Sequence, residues 1–557
     1  MRVPILVALW GPLVAACGAG GDLGSGGLDG GGHGLADAGT AGCLSSNECP
    51  AGTFCGEFGV CVALPPGGNP DAGVTPPPEV EVELGEPISS ERFVYVAMTA
   101  QNELARIDGT TLAVTATPVG KSPRVVAAIP GSDGAVVLDS INGTATVVRP
   151  DSAGVGDTIR VLPTLHDLNR LDVDPTGRFA VVWFDLTKQI QDGGIGGVGS
   201  FQDVTVIALA PGHELAVDLT VGFRPRNVQF DAAGDRAYVV TQDGVSVIDM
   251  PYATGHGPSI VPPIAVADPA IPPEALEVEV EATGELAVVR QAGLAKVRIV
   301  NVGSTPGAVR EIPLATPPTD IDLAPDGARA YAVQREAKLL SIIDLPGPGV
   351  TTIDLADAAI GSFVLSRDGH RALLFTNATL DERITLLRLD QPGFPHVTWP
   401  LKKAVRAVGI SPTGATAIVL GAKAPGDPAT ATTVDDFIDQ SYGYALLDLA
   451  TGFSKLQITK VDPGPFTYAP DGSKAYVALD GGDAVLATRA VQIVTTQTGV
   501  VTTKTLGSSP SGVGILPAAG EAFVAQRHPL GRISFVDLGT DAMRTVTGFD
   551  LNSQIVN

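Results

Sequence analysis

Apolar and polar residues alternate with a period of two in short runs from about residue 80 to the end of the chain, the spacing that puts every second side chain on one face of a pleated strand. The stretch Thr319–Leu355 shows the pattern most plainly. Ile321 and Leu323 define a first strand, and Ala324-Pro325-Asp326-Gly327 supplies a turn. In that turn proline pre-sets φ, aspartate can bond its own backbone, and glycine is free to take positive φ. Ala330 to Val333 gives a second strand, Leu339 to Ile343 closed by Asp344 a third, and Val350 to Leu355 a fourth after a Pro-Gly-Pro-Gly break. Four antiparallel strands of this length cannot bury both faces alone, so the unit needs neighbours stacked on it.

Related units recur. Their expected first-turn glycines are Gly134, Gly177, Gly234, Gly284, Gly327, Gly369, Gly414, Gly472 and Gly520, at intervals of 43, 57, 50, 43, 42, 45, 58 and 48 residues. Phe93 to Val96, Glu103 to Asp108 and Leu112 to Val119 read as the second, third and fourth strands of a unit without a first strand. The turn is followed by Ala237-Tyr238-Val239-Val240-Thr241, Ala475-Tyr476-Val477-Ala478 or Ala522-Phe523-Val524-Ala525, and third strands end in Val247-Ile248-Asp249, Ile342-Ile343-Asp344 or Phe535-Val536-Asp537. With Pro325-Asp326-Gly327 and Pro470-Asp471-Gly472, these residues resemble the YVTN family of β-propeller repeats, relatives of the lactonase-type propellers. The resemblance, over roughly residues 80 to 557, implies an all-β propeller of four-stranded antiparallel blades. Nine full units plus one partial unit leave the ring size open, and completion of the partial unit by the C-terminal strands would remove exposed edges.

Composition agrees: among 557 residues, charged side chains are 17%, hydrophobic ones 44%, and there are 67 glycines and 44 prolines, suited to short strands and tight turns. A net charge of −24 argues against nucleic acid, since phosphate binding relies on lysine and arginine.

The N-terminal region is built differently. Residues 1–16 read as a signal segment, with Arg2 as a minimal positive region and an apolar run too short to span a bilayer. Leu13-Val14-Ala15-Ala16-Cys17 resembles the lipobox of bacterial lipoproteins, which implies acylation of Cys17, export and a membrane anchor. Gly18 after the cysteine resembles the outer-membrane sorting pattern of Gram-negative lipoproteins. Residues 17–42 are a glycine-rich tether that cannot bury a core. Residues 43–62 hold Cys43, Cys49, Cys55 and Cys61, each separated by five residues, and resemble small EGF-like or Dickkopf-type modules. Two disulfides with three possible connectivities are expected there, and a zinc site lacks the usual ligand spacing. Residues 63–78 form a proline-rich linker, and 79–557 the propeller.

Candidate chemistry is sparse. No nucleophile elbow, phosphate loop or haem-attachment motif occurs, the seven histidines form no constellation, and no cofactor or metal is expected. The likeness to lactonase-type propellers implies acidic, arginine and histidine side chains around the central channel. Arg124, Arg170, Arg226 and Arg406 lie at or near the start of first strands, where they would face one mouth and bind an anion, or else be solvated or paired with nearby acids. Two insertions, Gln189 to Ser200 and Ala424 to Ser441, extend the longest intervals. Asp435, Asp436 and Asp439 in the second suit a solvated acidic loop better than a cation site, and Asp172 and Asp174 suit a turn. The expected function is a membrane-anchored scaffold presenting the propeller to a protein or glycan partner. The alternative is a periplasmic lactonase-like hydrolase working at the channel mouth.

Overall fold

The computed structural model describes residues 53–55, 61–63, 88–139, 141–151, 156–186, 201–267, 276–480 and 489–556. The signal segment with Cys17, the tether, the linker, Cys43, Cys49 and the insertion Gln189 to Ser200 lie outside them. The described residues fall in two compact units, one holding 53–55 and 61–63 and the other beginning at 88. In the first, strands Thr53–Cys55 and Cys61–Ala63 pair antiparallel with Cys55 opposite Cys61.

Among the described residues the second unit is a succession of ten sheets of antiparallel strands consecutive in the chain, the third of which gains one parallel strand at its outer edge. The sixth is typical: Asp320–Leu323, Arg329–Gln334, Leu339–Asp344 and Val350–Asp354 pair in chain order. Its turn forms as expected, with Gly327 at φ +69° and its N–H donating to the Ala324 carbonyl at 2.9 Å. The second sheet departs from this. There Gly131, not Gly134, takes positive φ (+70°), and the Ser132 N–H donates to Ile129 O at 3.1 Å. Pro130-Gly131 occupies the two central positions of a type II turn, which demands glycine at the second and releases Gly134 from the role.

Each junction between successive sheets is filled by its own apolar cluster. Between the sixth and seventh sheets, for example, Tyr331, Val333 and Leu340 pack with Phe363, Leu374 and Leu387. One further cluster joins Val94, Ile107 and Val114 of the first sheet to Phe523, Ile533 and Phe535 of the tenth, so the array closes into a ten-sheet β-propeller. The conserved phase of the alternation is what makes this possible, because both faces of every sheet then carry apolar residues for a neighbour.

Closure does not use the C-terminal strands to complete the first sheet, contrary to the sequence expectation. Met543–Thr547 is already paired as the outer strand of the tenth sheet. The first sheet keeps three strands, and a single bridge between Ser89 and Val94 stands where its inner strand would lie. The seam is instead sealed by packing and by the Ala518 N–H donating to Glu91 O at 3.0 Å. After Gly548 the chain turns into a C-terminal helix, Phe549–Val556, whose Phe549 is buried in the seam cluster.

The fourth sheet also has three strands among the described residues, so the units other than the first are not all complete. Its third strand ends at Asp249, which elsewhere in the ring (Asp108, Asp448, Asp537) accepts N–H groups of the next turn. Here Pro251 follows, and Asp249 instead caps helix α1 (Met250–His256) by accepting the Tyr252 N–H at 2.8 Å. The chain then adds Ser259–Ile260 in parallel to the outer edge of the third sheet.

The tyrosine of the repeat has a structural task. Tyr238 donates its hydroxyl proton to the Gly284 carbonyl at 2.9 Å, and Tyr95 donates to the Asp133 carbonyl, each tying one unit to the first turn of the next. Burial pushes the Tyr238 hydroxyl up to about 12, so it remains a donor.

Candidate functional site

In an antiparallel sheet the start of the first strand and the link between the second and third strands lie at the same end. Arg124, Arg170, Arg226, Arg406 and the insertion Ala424 to Ser441 therefore share one rim of the ring. The four arginines belong to the second, third, fourth and eighth sheets, so three stand on consecutive sheets and the last stands apart. Arg124 is exposed just before Val125–Ala128. Arg226 is half-buried before Asn227–Phe230, its N–H donating to Val240 O at 2.9 Å. Arg170 lies 3.3 Å from Asp185 and over the ring of Trp183. Arg406 pairs with Asp462 at 3.0 Å and donates to the Pro463 carbonyl at 2.6 Å.

The innermost strands carry a second polar group that the sequence reading did not single out. Gln229 of the fourth sheet donates to Val278 O and accepts the Val280 N–H, both at 2.8 Å, on the inner strand of the fifth sheet. Arg290 of the fifth sheet holds Glu277 at 2.5 Å and donates to Pro318 O at 3.1 Å, at the entrance to the sixth. Asp320 of the sixth accepts the Phe363 N–H of the seventh at 2.7 Å, and Thr319 donates to Gly361 O at 2.7 Å. Asn377 of the seventh donates to Arg406 O of the eighth at 3.0 Å. These side chains satisfy backbone groups at inner edges that have no further strand to pair with.

Within this collar three carboxyls converge. Burial pushes Asp322 up to about 7, with Glu277 adding repulsion, while the Leu323 N–H opposes the shift. Asp320 is raised well above the usual carboxylate range by burial and by the charges of Glu277 and Asp322. Glu277 is also raised by burial, against the pull of Arg290. The side chain of Glu277 is still 23% exposed, so the group borders solvent in the ring's interior while being hemmed in by the strands. The signal was present as Leu-Glu-Val-Glu-Val and Asp-Ile-Asp-Leu, carboxylates placed in strands that pack on both sides.

The acidic insertion carries a short helix and not only loop, and none of the helix residues is buried, as a solvated segment requires. Asp427 caps a short 3₁₀ turn (Pro428–Thr430), and Thr433 caps helix α2 (Val434–Gln440), accepting the Asp436 N–H at 3.0 Å. Asp435 and Asp436 fall in its first turn, where carboxylates suit the helix dipole. The buried Lys403 donates from Nζ to Ile438 O at 3.0 Å and Asp439 O at 2.8 Å, pinning the helix C-terminus. Burial lowers its ammonium to about 8, against the pull of Asp439 and Glu382. Beside it Leu401, Lys402, Tyr444 and Leu456 line a small recess of about 10 Å³, room for about one water. No group of three or more His, Cys, Asp or Glu spaced for a metal ion occurs among the described residues. Asp172 and Asp174 serve the fold: Asp172 accepts the Trp183 indole N–H at 2.6 Å, and Asp174 accepts the N–H groups of Thr176, Arg178 and Phe179 at 2.6–2.8 Å.

No protein-family model matches the chain, and no curated protein matches it. Among solved structures it is similar to a hydrazine synthase of Kuenenia stuttgartiensis, at 18% identity over 47% of this chain and 76% of that one, with a TM-score of 0.30. It is also similar to a eukaryotic initiation factor, at 11% identity over 74% and 96% of the two chains and a TM-score of 0.48. The dihydro-heme d1 dehydrogenase NirN in complex with DHE matches at 12% identity over 76% of both chains, with a TM-score of 0.37. The fold assignment rests on the sheet order and the closed succession of cores.

Proposed function

We propose that the protein is a membrane-anchored envelope or cell-surface lipoprotein that presents its propeller as a non-catalytic binding scaffold. The observation that carries the non-catalytic reading is the employment of the polar side chains around the inner strands. Arg406 is committed to Asp462 and Pro463 O, Arg170 to Asp185, and Glu277 to Arg290. Arg406 ties the eighth sheet to the ninth, and Arg170 and Glu277 are paired within their own sheets, so these side chains serve the fold. The anchored part of the reading rests on the lipobox-like Leu13-Val14-Ala15-Ala16-Cys17.

Two experiments test it. The purified chain, challenged with a panel of lactones, should show no turnover; turnover abolished by Arg226→Ala would establish the hydrolase alternative. Replacing Cys17 with serine should release the protein from the membrane fraction, and unchanged fractionation would refute acylation.

A further inference from the structure

On the insertion rim the exposed large apolar side chains include Ile141 and Leu530 in the links of the second and tenth sheets, and three that fall on two adjoining segments. Leu380, 53% exposed, lies in the link between the second and third strands of the seventh sheet. Val434, 74% exposed, and Phe437, 44% exposed, lie on α2 of the eighth. Their i, i+3 spacing puts the last two on one face of the helix.

Both segments are fastened to the same stretch of chain. Leu401 N–H donates to Glu382 O at 2.6 Å and Val405 N–H to Asp381 O at 3.1 Å, while Lys403 between them holds the end of α2. The Ala424 N–H also donates to Asp439 O at 2.8 Å, closing the base of the insertion. The apolar side chains are thus carried on a fixed support. Large apolar side chains grouped in water on a fixed support are what an interaction surface presents.

Charge defines the partner. Helix α2 carries Asp435, Asp436 and Asp439 and no basic residue, and the neighbouring link adds Asp381 and Glu382. Of the nearby cations, Arg383 is paired with Asp381 at 2.7 Å, Lys403 is engaged with helix carbonyls, Lys423 donates to Gly426 O at 3.0 Å, and Lys402 is exposed on the supporting stretch, against six carboxylates with Asp427 included. Burial raises Glu382, and Asp439 and Asp435 raise it further, so the carboxylates already crowd one another. A cationic partner relieves that repulsion, whereas a nucleic acid or an anionic membrane adds to it.

We propose that Leu380, Val434 and Phe437 form a docking platform for a basic, apolar segment of a partner protein. This deepens the scaffold reading and rests on it. The platform combines apolar side chains with neighbouring carboxylates, so that the former supply affinity and the latter selectivity.

The test uses the full chain and a 14-residue amphipathic peptide of leucine and lysine, with a leucine and glutamate peptide of equal length as its counterpart. Fluorescence anisotropy at physiological salt should show binding of the lysine peptide alone. The double variant Val434→Ser, Phe437→Ser should weaken it roughly tenfold, about 1.4 kcal/mol. The pair Asp435→Lys, Asp436→Lys should weaken it similarly. Phe453→Ser, also at an exposed position (69%) but in the link between third and fourth strands at the opposite rim, should leave it unchanged. Undiminished binding by the double variant, or equal binding of the glutamate peptide, overturns the proposal. So does Phe437-dependent sedimentation with phosphatidylcholine vesicles in the absence of peptide binding, which would assign the patch to a lipid surface. Lactone turnover would defeat the scaffold reading whatever the peptide does; failure at the platform without turnover defeats only the platform.

Discussion

Replacing Asp322 with asparagine should make the protein more stable at pH 8 and leave it unchanged near pH 4. Asp322 stands on the inner strand Asp320–Leu323, where burial and the charge of Glu277 raise its carboxyl from 3.8 to about 7. A group whose folded pKa lies above its unfolded value favours the fold while protonated. That contribution is complete below about 3.8 and is lost as pH rises through about 7. The shift of roughly 3 units at about 1.4 kcal/mol per unit sets an upper limit of about 4 kcal/mol. Water reaching the ring interior screens part of this, so about 1–2 kcal/mol is expected. Asparagine keeps the shape and an acceptor for the Leu323 N–H, which lies 2.8 Å from Oδ1, but never ionises. Urea unfolding of both chains from pH 4 to pH 8, with slopes compared to confirm equal exposure on unfolding, measures the difference. Equal midpoints at pH 8, or a less stable asparagine variant there, would refute the reasoning.

Three further outcomes follow from the same contacts. Phe549→Ala empties a buried site in the cluster shared by the first and tenth sheets, so thermal unfolding should reveal a loss of about 3–5 kcal/mol, more than expected of a mere terminal appendage. Lys403→Met removes the donor to Ile438 O and Asp439 O, and limited proteolysis should cut within residues 424–441 about tenfold faster while the urea midpoint of the ring moves little. Its sign with pH is opposite to that of Asp322: the lysine's folded pKa of about 8 lies below 10.5, so the cost of its charge is present at neutral pH and fades as pH rises through that window. Tyr238→Phe leaves Gly284 O without its donor and should cost about 1 kcal/mol by chemical unfolding, with no change if the hydroxyl merely fills space.

The sheets were legible because strand alternation and turn chemistry are local. Gly177, Gly234 and Gly327 hold positive φ as the repeat required, and the aspartates closing the third strands accept the N–H groups of the following turns. The seam was not legible, because Met543–Thr547 reads equally well as the outer strand of its own unit or as a donated one. Pairing partners decide that, and they lie outside the local pattern. Pro251 illustrates the same limit: the motif ending in Asp249 predicted another strand, and one proline redirected that aspartate into a helix cap. At the rim, the positions of the four arginines followed from strand order, but the occupation of Arg406 by Asp462 depends on the adjoining sheet. Gln229 and Asp320 were likewise hidden, since a polar residue in a strand says nothing of the inner-edge amide it will reach.

The central structural claim is that ten sheets close into one ring, joined by packing between the first and the tenth. Electron cryomicroscopy of the purified chain, viewed down the ring axis, tests it most directly. Ten radial sheets in a single closed ring are expected, with the C-terminal helix at the seam. A ring of eight or fewer with the remaining sheets in a second body, or an open gap between the first and last sheets, would contradict the account.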